Sequence, residues 1–299
     1  MDLTNAMVKQ FSANLYMLAQ QKGSRLRGLV SNETLTGEKK FFTRMGSTIA
    51  VRKTGRNEDS PIIETALDNR MIVPKDYHWG DMVDTMEKLK TLTDPSGKLS
   101  MSGSYALGRA MDDEIISAMT GTAYSGKDGT TPVVLPVAQK IALTVGSTGA
   151  NVGLNVGKLI AAKSKFGKAD LDLDDPENAL YLAVSQSQLD DLLAITQVTS
   201  SDYNSVKALV EGKVDTFMGF KFVRTERLAK VDTGSNTNTR SCIAWLKSGV
   251  VLALPQDITT EAAKRADKCF NPYVYASMSI SAGRLEDNKV VEILCEEAD

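Results

Sequence analysis

The sequence predicts an α+β fold, in which helices and strands are segregated rather than strung into a repeating βαβ series, and three observations predict it. Near the C-terminus Val274, Ala276, Met278, Ile280 and Ala282 alternate with Tyr273, Tyr275, Ser277, Ser279 and Ser281, the signature of a strand with one buried face. From Ser100 to Met119, three- and four-residue spacing sets Leu107, Met111, Ile115 and Ala118 on one side of a long helix. From Gly121 onward a Gly-, Ser- and Thr-rich region alternates short helical with short extended patterns. With 299 residues, 42% of them hydrophobic, the chain can bury a real core as one large domain or two modest ones.

Taken in order, Leu3, Met7, Phe11, Leu15 and Leu18 form one stripe of an amphipathic helix that stops near Gly23. Leu35 to Tyr77 then reads as a long two-stranded ribbon. Its outbound arm is Lys40 to Met45 followed by Ile49 to Lys53, its tip Gly55 to Pro61, and its return arm Ile62 to Val73. An isolated ribbon buries too little apolar surface to offset its ordering entropy. Having nothing of its own to pack against, it needs a partner surface, and another copy of the same chain supplies one. The residues expected at such an interface are Phe41, Phe42, Arg44, Arg52, Lys53, Arg56, Glu58, Asp59, Glu64 and Arg70.

Met82, Val83, Met86 and Leu89 suggest a short helix ended by Asp94-Pro95-Ser96-Gly97. In the long helix that follows, Ala106 and Ala110 allow close backbone approach, while Asp112, Asp113 and Glu114 are placed on or beside the opposite face, solvated or at an interface. Further helices are expected over Val156 to Phe166, closed by Gly167; after Ser185, whose spacing from Gln188 fits a capping box, with Leu189, Leu192 and Leu193; and after Asp202, with Val206, Leu209 and Val210, ended by Gly212. Strands are expected at Ala179 to Val184, Phe217 to Arg224 and Cys242 to Leu246. The strand from Pro272 should turn at Gly283 to Lys289 and return as a hairpin over Val290 to Cys295, before an acidic end at Glu296, Glu297 and Asp299.

Charge and residue chemistry exclude several function classes. Thirty-five basic against 37 acidic residues give a formal charge of −2, so no strong pull toward nucleic acid or anionic membrane is expected. Cys242, Cys269 and Cys295 are odd in number and outside any CxxC pattern, which reads as three reduced, buried thiols in a cytoplasm-like compartment. The N-terminus lacks a basic region followed by an apolar block, and no run reaches about 18 apolar residues, so a soluble, cytosol-made protein is expected.

Gly153 to Leu159 imitates a phosphate-binding loop, but the spacing is one residue short and Leu159 stands where a Mg²⁺-binding Ser or Thr is needed; the segment reads as a glycine-rich loop entering a helix. Asp170, Asp172 and Asp174 imitate a calcium loop, yet Asp175 occupies its glycine position and Tyr181 its bidentate Glu position. His78, the only histidine, sits between Tyr77 and Trp79 with no nucleophile elbow in the chain, and reads as a packed or interface residue. Trp79 and Trp245 read as packing anchors. No catalytic, cofactor or metal site emerges.

The order of parts and the local wording resemble the major capsid proteins of tailed double-stranded-DNA bacteriophages, the Hong Kong 97-type fold. The wording lies in Trp79-Gly80-Asp81-Met82-Val83-Asp84, Glu87-Lys88-Leu89-Lys90, Asp94-Pro95, and Ala106-Leu107-Gly108-Arg109-Ala110-Met111-Asp112-Asp113-Glu114-Ile115. It lies also in Met218-Gly219-Phe220-Lys221-Phe222, read as the start of a strand, and in Gly283-Arg284-Leu285-Glu286-Asp287-Asn288-Lys289-Val290-Val291-Glu292-Ile293. The resemblance covers nearly the whole chain.

It implies an N-terminal arm (1–33), an extended β-ribbon loop (34–76), a peripheral domain (77–128 and 268–299) with a long spine helix, and an axial domain (129–267). It also implies hexamers and pentamers tiling an icosahedral shell that encloses double-stranded DNA without gripping it, located in the virion after assembly in the host cytoplasm. Portal and decoration proteins are further partners of such a shell. The segment before the ribbon is too short for a fused scaffolding domain, so any scaffolding protein is expected to be separate. Some relatives join an extended-loop lysine to a peripheral-domain asparagine. Lys39, Lys40 and Asn271 match no specific motif for that, and a non-covalent shell is expected. A cellular nanocompartment shell shares the fold, and a hydrolase with an unrecognised site is the alternative of a different class.

Overall fold

The computed structural model describes residues 20–82, 96–147, 149–173, 175–195, 216–232 and 238–297. In chain order its strands are β1 (Ser31–Thr34), β2 (Lys40–Met45), β3 (Leu67–Ile72), β4 (Lys75–Met82), β5 (Ala123–Ser125), β6 (Thr131–Val133), β7 (Lys140–Ile141), β8 (Leu180–Val184), β9 (Thr216–Phe217), β10 (Phe220–Arg224), β11 (Lys230–Val231), β12 (Thr239–Leu246), β13 (Val250–Arg265), β14 (Asn271–Arg284) and β15 (Val290–Glu296). The helices are α1 (Ser96–Thr120), α2 (Val156–Lys168) and α3 (Gln186–Ala194). The N-terminal stripe, the short helix after Met82 and the helix after Asp202 fall outside the described residues, except Met82 itself, which ends β4.

The chain divides into two compact units. One takes its described residues from 20–24, 75–82, 96–111 and 256–280. Here β4 pairs antiparallel with β14, from Tyr273 opposite Met82 to Ile280 opposite Lys75. The alternation expected for β14 holds, with Val274, Ala276, Met278 and Ile280 all buried. Trp79 is half-buried as a packing anchor, and His78 is exposed on the same strand. A Cβ on Gly103 would stand 2.5 Å from the Trp79 ring, and one on Gly108 2.6 Å from the Gly23 Cα, so both glycines of α1 are close-approach positions.

The other unit comprises 25–74, 112–255 and 281–299. Its main sheet runs β7-β15-β12-β8-β10-β9, with β11 on the edge of β12. Every residue of β12 is buried, because it lies between β15 and β8 and both its faces are covered. Trp245 is fully buried and donates its indole N–H to the Leu29 carbonyl at 3.0 Å. The polar residues of β12 are paired: Ser241 donates to Glu292 at 2.7 Å, and the Arg240 guanidinium lies 2.8 Å from Glu297.

Several expectations are corrected. The stretch Ile49 to Lys53 and the return arm before Leu67 are not strands. Nor does the ribbon lack internal partners, since β3 pairs with β5 as well as β2, giving a four-stranded sheet β2-β3-β5-β6. The segment from Val290 does not fold back on β14; it joins the other sheet between β12 and β7. Its apolar residues fit the fully covered centre of that sheet.

Asp112 is not on a solvated face. It is fully buried, and its carboxylate accepts the backbone N–H groups of Arg25 and Leu26 at 3.0 to 3.1 Å, satisfying donors that open a 3-10 turn. Met218 and Gly219 form a hairpin turn with φ of 54° and 87° rather than beginning a strand. Ser185 precedes α3 without a side-chain cap, because Gln188 is drawn inward to accept from Leu154 N–H and donate to the Glu296 carbonyl. Helix α2 runs past Gly167 to Lys168. Cys242 and Cys295 are buried free thiols, but Cys269 is exposed.

Candidate assembly surface

The surface that stands out is the segment joining β2 to β3. The ladder closes one step beyond the strands, where Gly46 N–H donates to the Ala66 carbonyl at 2.8 Å. Between these residues the chain leaves the sheet, and every residue from 47 to 65 is exposed except Thr65, which is half-buried. Its apolar side chains have no cover. Ile49 is 82% exposed, Val51 60% and Ile62 94%, and at the neck Met45 is 74% exposed. Ile49, Val51 and Ile62, with Met45 at the neck, thus leave aliphatic surface in solvent on and beside this one loop.

The tip is nevertheless shaped. The Glu58 carboxylate accepts the backbone N–H groups of Thr54 at 2.6 Å and Gly55 at 2.9 Å and the Thr54 hydroxyl at 3.1 Å. These bonds, the Gly55 N–H first, hold the carboxyl below its usual range. Glu58 therefore shapes the tip of its own loop while staying exposed. Arg52, Lys53, Arg56, Asp59 and Glu64 are exposed and have no ion-pair partner among the described residues.

The root of the loop is different. Phe41 is exposed, whereas Phe42 is half-buried under the Lys40 ammonium, 4.8 Å from its ring centre. Arg44 pairs with Asp68 across the two strands and donates to the Leu285 carbonyl at 2.8 Å. Arg70 is 2% exposed, with its guanidinium 2.7 Å from the Asp287 carboxylate. Of the ten residues expected at an interface, Arg70 is thus spent inside the chain. The aliphatic residues Ile49, Val51 and Ile62, which were not in the expected set, are among the exposed large hydrophobic residues. Alternation could not separate them from core residues, because both kinds read as short extended runs.

The phosphate-loop look-alike resolves into structure, whereas Asp174 of the calcium-loop look-alike lies outside the described residues. Asn155 caps α2 by accepting the Lys158 N–H at 2.8 Å. The Lys158 ammonium is buried, donating to the carbonyls of Val152 at 2.6 Å and Leu294 at 2.8 Å, and so is turned away from any phosphate. An open cleft beside this loop is lined by Gly153, Asn155, Gly157 and Asp191. Burial, and then the neighbouring Asp190, raise the Asp191 carboxyl. The Asp191 carboxyl in this cleft disfavours an anionic ligand there by like charge. Among the described residues no group of His, Cys, Asp or Glu could hold a metal ion, and no helix is long and apolar enough to cross a membrane.

Solved structures share this architecture over almost their full length. The capsid of the cyanophage P-SCSP1u matches with a TM-score of 0.76 at 17% identity, covering 100% of this chain and 95% of that one. The capsid of Ralstonia phage GP4 matches with a TM-score of 0.77 at 11% identity, covering 98% and 96%. The head of Helicobacter pylori bacteriophage KHP40 matches with a TM-score of 0.73 at 8% identity, covering 97% and 96%. No curated protein sequence matches the chain.

The fold is therefore that of phage capsid subunits, the α+β fold expected from the Hong Kong 97-type resemblance. The family model described as phage capsid protein matches residues 3–297, and the chain belongs to that family. Its role is structural, as a major capsid protein, and not enzymatic.

Proposed function

We infer that this chain is the repeating subunit of an icosahedral shell, assembling through hexamers and pentamers and enclosing double-stranded DNA in the virion after assembly in the host cytoplasm. The observation that carries the reading is the exposed loop 47–65, whose aliphatic residues find cover only when laid on a neighbouring copy. The near-neutral charge of −2 supports a container that confines nucleic acid without binding it. On this reading the chain works as an N-terminal arm (1–33), an extended loop (34–76), a peripheral domain (77–128 and 268–299) and an axial domain (129–267). The interface takes Phe41, Phe42, Arg44, Arg52, Lys53, Arg56, Glu58, Asp59 and Glu64 together with Ile49, Val51 and Ile62. The shell is held non-covalently, and scaffolding, portal and decoration proteins are separate chains.

The test is the state of the purified full-length chain. Sedimentation and negative-stain imaging should show capsomers or closed shells, with subunit contacts burying thousands of Å². A stable compact monomer at micromolar concentration over a range of salt would overturn the reading. Denaturing electrophoresis of particles should give one single-chain band; a ladder of covalent multimers would refute the non-covalent shell.

A further inference from the structure

At the root of the loop Arg44, Arg70 and Arg284 are packed with the carboxylates of Asp68 and Asp287. Asp287 accepts Arg284 Nε on one oxygen at 2.7 Å and Arg70 Nη2 on the other at 2.7 Å. Arg284 is itself fixed: it is 1% exposed, and its remaining nitrogens donate to the carbonyls of Met119 at 2.8 Å, Gly121 at 2.8 Å and Val133 at 3.0 Å. The carboxylate is thus held by the end of α1 and the β5–β6 hairpin before Arg70 reaches it. Arg70 comes from the ribbon strand β3. A second tie runs from β2, where Arg44 donates to the Leu285 carbonyl at 2.8 Å.

The chemistry of Arg70 sets it apart from Arg284. Arg70 is 2% exposed, yet its Nε and Nη1 have no hydrogen-bond partner among the described residues. A buried guanidinium with one salt bridge and two idle donors is a poor device for stability, because desolvating it costs about as much as the pairing returns. What it does supply is direction. A single Nη2–carboxylate bond from a side chain packed out of solvent ties the β3 backbone to Asp287, and a few degrees at the root become ångströms at the far end of loop 47–65.

We propose that Arg70, through Asp287, is a positioning residue for assembly: the clamp aims the ribbon loop at the neighbouring copy and contributes little to the stability of the body. The proposal rests on the reading of this chain as a shell subunit, but its first readout does not. Asp287 is unsuitable as the test position, because removing it strands two buried guanidinium groups and threatens the fold. Arg70→Met keeps the packing volume of the stem and leaves the Arg284–Asp287 pair intact.

The experiment uses the full chain in a Cys269→Ser background, since Cys269 is the exposed thiol and the other two are buried. Spin labels at Asn57→Cys on the loop tip and Ser164→Cys on α2, both exposed, read the loop's direction, with unlabelled chain added so that only intrachain distances count. In Arg70→Met the distance distribution should broaden while the melting temperature stays at or above that of the parent. Closed-shell yield should fall about tenfold, because a loop that no longer points at its neighbour weakens the contacts it makes there. Arg70→Lys keeps the charge and restores part of both. An unchanged distance distribution in Arg70→Met overturns the clamp, as does a broadened one accompanied by normal shell yield. A large fall in melting temperature shows Arg70 to be merely structural and also overturns it. If the parent chain forms no shells at all, the shell reading fails, while the distance distribution still decides whether Arg70 aims the loop.

Discussion

From the sequence the whole ribbon looks severable, but the structure divides it sharply into a removable loop and an integral root. Replacing 47–65 with a short Gly-Ser turn between Gly46 and Ala66 removes no buried residue. Closing a chain segment several-fold shorter gains on the order of 1 kcal/mol of loop entropy, so the melting temperature should stay level or rise by a few degrees.

Replacing 40–73 instead removes Ile72, which is 4% exposed and fills the space beside Gly283, at about 1.5–3 kcal/mol. It also takes away the Val73 carbonyl to which the buried Ser281 hydroxyl donates at 2.7 Å, adding about 1–3 kcal/mol for an orphaned polar group. The pairing of β3 with β5 goes too. The sum, about 3–6 kcal/mol, corresponds to a fall on the order of 10 °C for a chain of this size. Differential scanning calorimetry compares the two deletions directly, and sedimentation checks that neither forms shells. Equal losses of melting temperature in both, or a 40–73 deletion that melts like the full chain, would refute the division.

Four other outcomes follow from single positions. Gly108→Ala should lower stability by about 1–3 kcal/mol in a denaturant titration despite the better helix propensity of alanine, because its Cβ meets the Gly23 and Ser24 backbone; a more stable variant would refute that close approach. Met218→Gly should raise stability by roughly 1 kcal/mol, since the turn holds this residue at φ 54°, and a fall would mean that the Met218 side chain matters more than its backbone. Asp191→Asn tests pH linkage: the folded-state carboxyl is raised by burial, so its charge weakens the fold above that raised value, and the penalty fades as pH falls through it. The asparagine variant should melt higher than the parent at neutral pH and alike in acid. Glu297 has the opposite sign. Burial pushes its carboxyl up, but the Arg240 hydrogen bond and charge prevail and leave it lowered, so the stability it adds is present at neutral pH and lost as acid reaches the lowered value.

How much of this was legible in the sequence depends on where the information lay. Helix α1 and strand β14 were readable because burial there is periodic within one segment: Leu107, Met111 and Ile115 recur at helical spacing, and Val274 to Ile280 alternate. The uncovered loop was readable as a turn-rich, charged excursion, and the family as an order of such elements.

Strand β13 was not readable. Its buried run Val250 to Ala253 gives way after Leu254 to exposed residues on both faces, and Pro255 argues against a strand. Tertiary structure permits the proline because β1 pairs only as far as Leu254, leaving that edge of β13 without a strand partner among the described residues.

Partners distant in sequence decided the rest. Asp112 looks solvated beside Asp113 until Arg25 and Leu26 bring their amides to it, and Arg70 looks like an interface charge until Asp287 receives it. Local periodicity, which acts within a few residues, thus determined element type, while the capsid fold was suggested by a resemblance in the order and wording of those elements. Burial of charge, strand order and the aim of the loop were set by pairings across tens to hundreds of residues, and only the folded chain brings those groups within hydrogen-bonding distance.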